Sequence, residues 1–79
     1  MRVTTYQVCM LFTGMRMEGM RAKTAAAAAN EYRRLHELPS GTMVDVYDHV
    51  RERWVAYQAT ARGVLWAGGS EEIRARARS

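Results

Sequence analysis

Cys9, His36, His49 and the pair Asp45 and Asp48 are the side chains of this 79-residue sequence best suited to attack a substrate, move a proton or hold a metal. A cysteine nucleophile must be a thiolate, and that form is favoured beside a helix N-terminus or a cation. Cys9 instead sits in an alternating, strand-like run with no basic cluster beside it, where a free cysteine behaves as a small buried hydrophobe. A general acid and its base must share a face. Asp45 and Asp48 are three apart in another strand-like run, so they point to opposite faces. The histidines and the single cysteine form neither a C-x-x-C nor an H-x-x-x-H spacing. His36 is expected at a helix end, close to the last carbonyls, and His49 on the surface near a hairpin. Gly68 and Gly69 do not open a strand–helix phosphate loop. These patterns predict a chain that is not an enzyme and uses no metal, no cofactor and no small-molecule substrate.

The elements that position these residues are predicted from hydrophobic period and turn chemistry. Residues 3–13 alternate and read as a strand, with Tyr6, Val8, Met10 and Phe12 on the inward face and Val3, Thr5, Gln7, Cys9 and Leu11 on the other. Gly14 permits a turn; Met15, Met17, Glu18 and Met20 would suit a helix, but Gly14 and Gly19 weaken one, and a second strand over residues 15–23 paired to the first is the favoured reading. Thr24 is suited to cap a helix from Ala25 to Glu37, whose five consecutive alanines have the highest helix propensity available. Its packing stripe is Ala25, Ala28, Tyr32 and Leu35, with Ala29 alongside and Arg33, Arg34 and Glu37 facing solvent. Pro39 ends it. Thr42 to Val50 is predicted as a strand with Val44, Val46 and Val50 inward, Arg51 to Arg53 as its turn, Trp54 to Ala59 as the return, and Gly63 to Ala67 as a last short strand. Register is open at this stage. An even loop puts Val55 and Tyr57 beside Val44 and Val46; an odd one puts Trp54 and Ala56 there. The expected fold class is α+β, one α-helix on a mostly antiparallel five-stranded sheet in the order ββαβββ. Residues 1–67 form the domain and 68–79 a flexible C-terminal tail, in which Gly68 to Ser70 read as a hinge and the remainder as disordered or a frayed helix.

Size and charge narrow the function further. A chain this short makes one domain and has little core in which to bury a deep active site. One cysteine excludes an internal disulfide, and a reducing, cytoplasmic compartment is the simplest expectation. No apolar block follows a basic start, so no signal peptide is expected, and no apolar run approaches the length of a membrane span. The net charge is +4. Residues 68–79 hold three arginines against two glutamates, so the remainder carries +3. Such a balance permits attraction to a polyanion.

Binding surfaces therefore carry the functional expectation. Arg33 and Arg34 near the helix end, with Arg21 and Lys23 nearby, make one basic group; Arg51 and Arg53 at the hairpin tip make another. Arginine grips carboxylates and phosphates through charge-assisted bonds, although a solvated helix face and a charged turn that discourages edge pairing account for the same residues. Tyr47, Trp54, Tyr57 and Trp66 could stack on unpaired bases. Strand aromatics in a chain with so few large apolar residues are more often core, and core is the favoured reading.

The stretch from Gly41 to about Ala67 resembles small phage-encoded anti-CRISPR proteins that inhibit type I surveillance complexes (Cascade) of the I-C and I-F kinds. The shared features are an alanine-containing helix, Gly41-Thr42 leading into Val44 and Val46, a hairpin, then Trp54, Val55, Ala56 and Tyr57, and a short strand with Trp66. The resemblance implies binding to Cas7 backbone subunits in the cytoplasm of a bacterial host, and a block on pairing of target DNA with guide RNA by steric occlusion or DNA mimicry. It implies partner contacts on the helix and sheet, expected here at Arg33, Arg34, Glu37, Arg51, Arg53 and Gln58. Two basic helix positions of a relative fall on Asn30 and Glu31, a third on Leu35, and a lysine after the Trp-x-Ala-Tyr run falls on Gln58. Arg33 and Arg34 lie close by. The alternative is a small nucleic-acid-binding or phage regulatory protein, and a secondary nucleic-acid contact is compatible with either.

Overall fold

The alternating segments pair into one sheet. In the computed structural model, which describes residues 2–13 and 17–78, the elements are β1 (Thr4–Met10), β2 (Glu18–Ala22), α1 (Ala25–Leu35), β3 (Met43–Asp48), β4 (Arg53–Ala59), β5 (Val64–Gly69) and α2 (Ser70–Ala77). The strand order is β2-β1-β3-β4-β5, and every neighbouring pair is antiparallel. The α+β class and the five strands are as expected. The turn assigned to Gly14, and Met15 beside it, lie outside the described residues.

Helix α1 covers one face. Thr24 caps it, its Oγ1 accepting the Ala27 amide at 3.1 Å. Ala25, Ala28, Ala29 and Tyr32 pack against Tyr6, Val8, Met20, Val44, Val46, Val55 and Tyr57. The alanines let the helix lie close to the sheet, and the Tyr32 ring, fully buried, fills the space they leave. The hairpin loop between Asp48 and Arg53 holds four residues, so Val44 pairs with Tyr57 and Val46 with Val55: the even register.

Three expectations for this face need correction. Leu35 is 60% exposed. The helix stops at Leu35, two residues before the predicted end at Glu37, and the chain turns away: the Glu37 amide donates to the Arg34 carbonyl at 3.3 Å and the Leu38 amide to Arg33 at 3.0 Å. Val50 is 86% exposed, because the Asp48 carboxylate accepts the Val50 and Arg51 amides at 2.9 and 3.2 Å and starts the turn before alternation can continue. Phe12 lies beyond the end of β1 and is exposed.

The helix end makes a prediction. Glu37 adopts φ 50° at the position where glycine is favoured. Glu37→Gly relieves the left-handed strain at the expense of unfolded-state entropy, and is expected to stabilise the fold by about 0.5–1 kcal/mol. A higher urea midpoint with an unchanged slope is the readout.

The largest correction is a second helix. Residues 68–79 were expected to be a flexible tail on a one-helix fold, a hinge followed by a disordered segment or a frayed helix. Instead Gly68 and Gly69 finish β5, and Ser70–Ala77 forms α2. Ile73 packs on Leu11 and Ala56, which alternate with the residues that face α1. Helix α2 therefore sits on the opposite face of the sheet. Glu71 and Glu72 in its first turn and Arg74 and Arg76 in its last complement the helix dipole. Gly69 has no side chain because the Arg53–Glu72 pair lies across it; a Cβ there would come 2.0 Å from the Arg53 guanidinium.

Candidate functional site

The expected contact residues do not form one patch. Arg33, Arg34 and Glu37 belong to the C-terminal end of α1 and the turn after it. Arg51 lies in the β3–β4 turn and Arg53 opens β4. Gln58 alternates with Tyr57 and Ala59 and so points to the α2 side, with the sheet between it and Arg33 and Arg34. Gln58 is exposed, as are Arg34, Glu37, Arg51 and Arg53, while Arg33 is half-buried.

Much of this charge is answered within the chain. Arg34 pairs with Glu31 at 2.7 Å, one helical turn back, and Arg33 Nε donates to Asn30 Oδ1 at 3.0 Å. Asn30 and Glu31 are thus not free polar positions but partners of the two neighbouring arginines. Arg51 donates to Asp48 at 2.7 Å. Arg53 Nη2 reaches both oxygens of Glu72 at 2.7 Å, which holds the Glu72 carboxyl below the usual range. The exposed pairs Arg34–Glu31 and Arg53–Glu72 contribute little to stability, and their partners can be exchanged for those of another surface.

The aromatics divide. Tyr57 is buried, as the core reading expects. Tyr47 and Trp54 are half-buried on the α2 side, their rings meeting edge to face at 5.6 Å. Trp66 departs from that reading: it is 52% exposed, with the Arg51 guanidinium 4.8 Å from its ring centroid and Tyr57 edge-on at 5.5 Å. The bulge at Ala56/Tyr57 brings Trp66 opposite Tyr57 on the α1 side of the sheet.

The residues suited to chemistry are placed apart. Asp45 and Asp48 lie on opposite faces, as their spacing requires. The Asp48 carboxyl is held below its ordinary value; burial opposes this, and the Arg51 guanidinium with the Arg51 and Val50 amides outweighs it. Asp45 is buried on the α2 side. It accepts a hydrogen bond from Ser70 Oγ and pairs with Arg74 Nη2 at 3.0 Å, and Arg74 also donates to the Leu11 carbonyl at 3.1 Å. Burial pushes the Asp45 carboxyl up despite these partners. Cys9 is opposite Asp45 in the sheet, and burial together with the Asp45 charge pushes its thiol up, away from the thiolate. His36 bonds the Glu18 carboxylate and packs its ring against Tyr32 at 4.4 Å. His49 donates from Nε2 to the Thr5 carbonyl at 3.2 Å. Among the described residues, no three of His, Cys, Asp and Glu lie together as metal ligands would.

Sequence reasoning missed Ser70 and Arg74. Their spacing of four places both on one face of a helix, but that signal appears only once residues 70–77 are read as helical. None of the helices is long and apolar enough to cross a membrane, among the described residues. Compared with protein-family models, curated proteins and solved structures, the chain matches none.

Proposed function

We propose that this chain is an anti-CRISPR inhibitor that binds the Cas7 backbone subunits of a type I Cascade in the host cytoplasm and keeps target DNA from the guide RNA. The observation that carries the reading is the placing of the residues that bear the resemblance. Gly41 and Thr42 lead into β3, Val44 and Val46 lie on β3, Trp54 to Tyr57 on β4 and Trp66 on β5, three consecutive neighbours in the sheet beside an alanine-rich helix. Gly41 has φ 95° and its amide bonds the Ala59 carbonyl at 2.8 Å, so the Gly-Thr pair has a structural task at the start of the hairpin.

A protein built this way inhibits by occupying space. Its surface is preorganised, so little ordering entropy is lost on docking. Arg33 and Arg34 flank the helix positions where the relative carries basic residues, and each is already held by a neighbour one turn back. The reading needs neither a cofactor nor catalysis.

The test is capture of a purified type I-C or I-F complex, followed by target DNA binding with the inhibitor in excess. Loss of DNA binding is expected; undiminished binding at saturation refutes the proposal. Charge reversal at Arg33 and Arg34 together is expected to slow association by roughly tenfold, with a smaller change in dissociation, as rim charges do.

A second reading, a small nucleic-acid-binding or regulatory protein, is favoured by the exposed Trp66 ring and its Arg51 partner. It predicts direct single-strand binding that weakens steeply with salt.

A further inference from the structure

A cavity of about 400 Å³ opens between the start of α1 and the β3–β4 hairpin. Tyr6 and Tyr57 line it, with Lys23, Thr24 and Arg51 also on its walls. Tyr6 is 5% and Tyr57 7% exposed, yet among the described residues neither phenolic hydroxyl has a hydrogen-bond partner. No side-chain oxygen or nitrogen is both sealed from solvent and unpaired, again among the described residues. The two hydroxyls therefore reach open space, and the space these rings line is this cavity. Phenylalanine would fill both positions with the same shape. Among the described residues, neither oxygen makes a hydrogen bond that a phenylalanine would lose.

Other donors converge on the same space. Ala25 and Ala26 also line the cavity, and they begin an 11-residue helix. Their amides precede any intrahelical acceptor. Thr24 takes the next two, its hydroxyl from Ala27 at 3.1 Å and its carbonyl from Ala28 at 3.0 Å. The positive end of the helix thus faces the cavity with two amides to offer. Lys23 is exposed and makes no ion pair among the described residues. Asp48 brings the opposing charge, but its oxygens are occupied by the Val50 and Arg51 amides and the Arg51 guanidinium at 2.7 Å. Burial and the Asp48 charge push the Tyr57 hydroxyl up, so it stays a donor at neutral pH.

We propose that this cavity binds the phosphate of a nucleoside monophosphate. Two phenols, two amides and an ammonium are more donors than a carboxylate's two oxygens accept well, and they suit the three terminal oxygens of a phosphate monoester. The aromatic half of the ligand has a platform at the rim, where Arg51 lies between the cavity and the half-exposed ring of Trp66. The volume falls within the usual range for small-ligand sites, about 300–1,000 Å³. The inference goes beyond the Cas7 reading and does not depend on it; its test uses the protein alone.

The experiment is titration of the isotope-labelled full chain with adenosine monophosphate, inorganic phosphate, adenosine and acetate, followed by amide shifts. Adenosine monophosphate is expected to move the Ala25 and Ala26 amides saturably, with a Kd below about 1 mM. Inorganic phosphate should move the same amides more weakly, and adenosine and acetate should leave them in place. Tyr6→Phe and Tyr57→Phe are each expected to weaken the nucleotide about tenfold while leaving the thermal midpoint unchanged or higher. The proposal is overturned if there is no saturable movement up to about 10 mM nucleotide, if acetate acts as phosphate does, or if both phenylalanine variants bind as the parent. A fall in thermal midpoint in those variants would also overturn it, by giving the hydroxyls a task in the fold.

Discussion

Replacing Tyr32 by alanine is expected to remove about 4–5 kcal/mol of stability, a third or more of what a domain of this length has and all of it at the lower end. A domain of this length is stable by about 4–12 kcal/mol, and deletion of a large buried ring costs about 3–5 kcal/mol. The upper part of that range applies here. The residues flanking Tyr32 on the buried side of α1 are Ala25, Ala28 and Ala29, none of which can move into the void. The sheet beneath presents Val8, Val44, Val46 and Val55, whose branched side chains have few alternative rotamers. Circular dichroism and thermal melting read the result. Tyr32→Phe keeps the ring and should lose about 1 kcal/mol. A Tyr32→Ala protein that melted within a few degrees of the parent would mean that α1 contributes little to the fold.

Arg74→Met is expected to cost about 3 kcal/mol or more at neutral pH, because it leaves the Asp45 carboxylate buried without its cation. The methionine replaces the stem of the side chain, so lost packing is a small part of the effect. The pH dependence identifies the cause. Burial already raises the Asp45 pKa in the folded parent, with Ser70 and Arg74 opposing. Removing Arg74 raises it further. A carboxyl whose folded pKa lies above its unfolded value gives stability that is complete below the unfolded value and is lost as pH rises through the folded one. The deficit of Arg74→Met should therefore be largest near pH 7 and narrow on acidification toward the ordinary aspartate value of about 4. Asp48 works in the other direction. Its folded pKa is lowered, so its contribution is lost as pH falls through that value, but equally in parent and variant. Adding Asp45→Asn to Arg74→Met should restore much of the loss, since no charge is then left buried. A deficit independent of pH, unrelieved by the second change, would exclude an electrostatic origin.

What the sequence revealed and what it hid have physical reasons. Thr24 and the alanines are local signals: a cap and a propensity need no knowledge of the rest of the chain. The strands were legible because Tyr6, Val8, Val44, Val46, Val55 and Tyr57 keep the period of two that a half-buried sheet imposes. Val50 continues that period but lies past Asp48, whose carboxylate starts the turn by capping its amides. Leu35 continues the helical period one step beyond the point where the chain leaves the helix through Glu37. Helix α2 was hidden because its only large apolar contact is Ile73, and its polar anchor joins Arg74 to Asp45 across 29 residues. A pair of glycines read as a hinge proved to be the end of a strand, left bare for an ion pair to cross. At the candidate site, the arginines were legible as residue types, but their separation between the end of α1 and the β3–β4 hairpin was not. The unpartnered hydroxyls of Tyr6 and Tyr57 have no sequence signature, since a paired tyrosine and an unpaired one are the same letter.

Strands β1 and β3 pair at three positions, Val8 with Val46, Cys9 with Asp45 and Met10 with Val44, and the Leu11 amide adds one bond to the Met43 carbonyl at 3.1 Å. The seam is bridged from above by α1 and from below by Arg74, which holds the Leu11 carbonyl with one side of its reach and Asp45 with the other. Parted along that line, the sheet becomes an antiparallel pair (β2-β1) and a three-stranded meander (β3-β4-β5), each with a bare edge that fits the other. Two molecules opened in this way could trade halves and rebuild every native contact between them, the Arg74 bonds included, so the arginine on the underside slows the opening that reciprocal exchange requires without favouring one molecule over two.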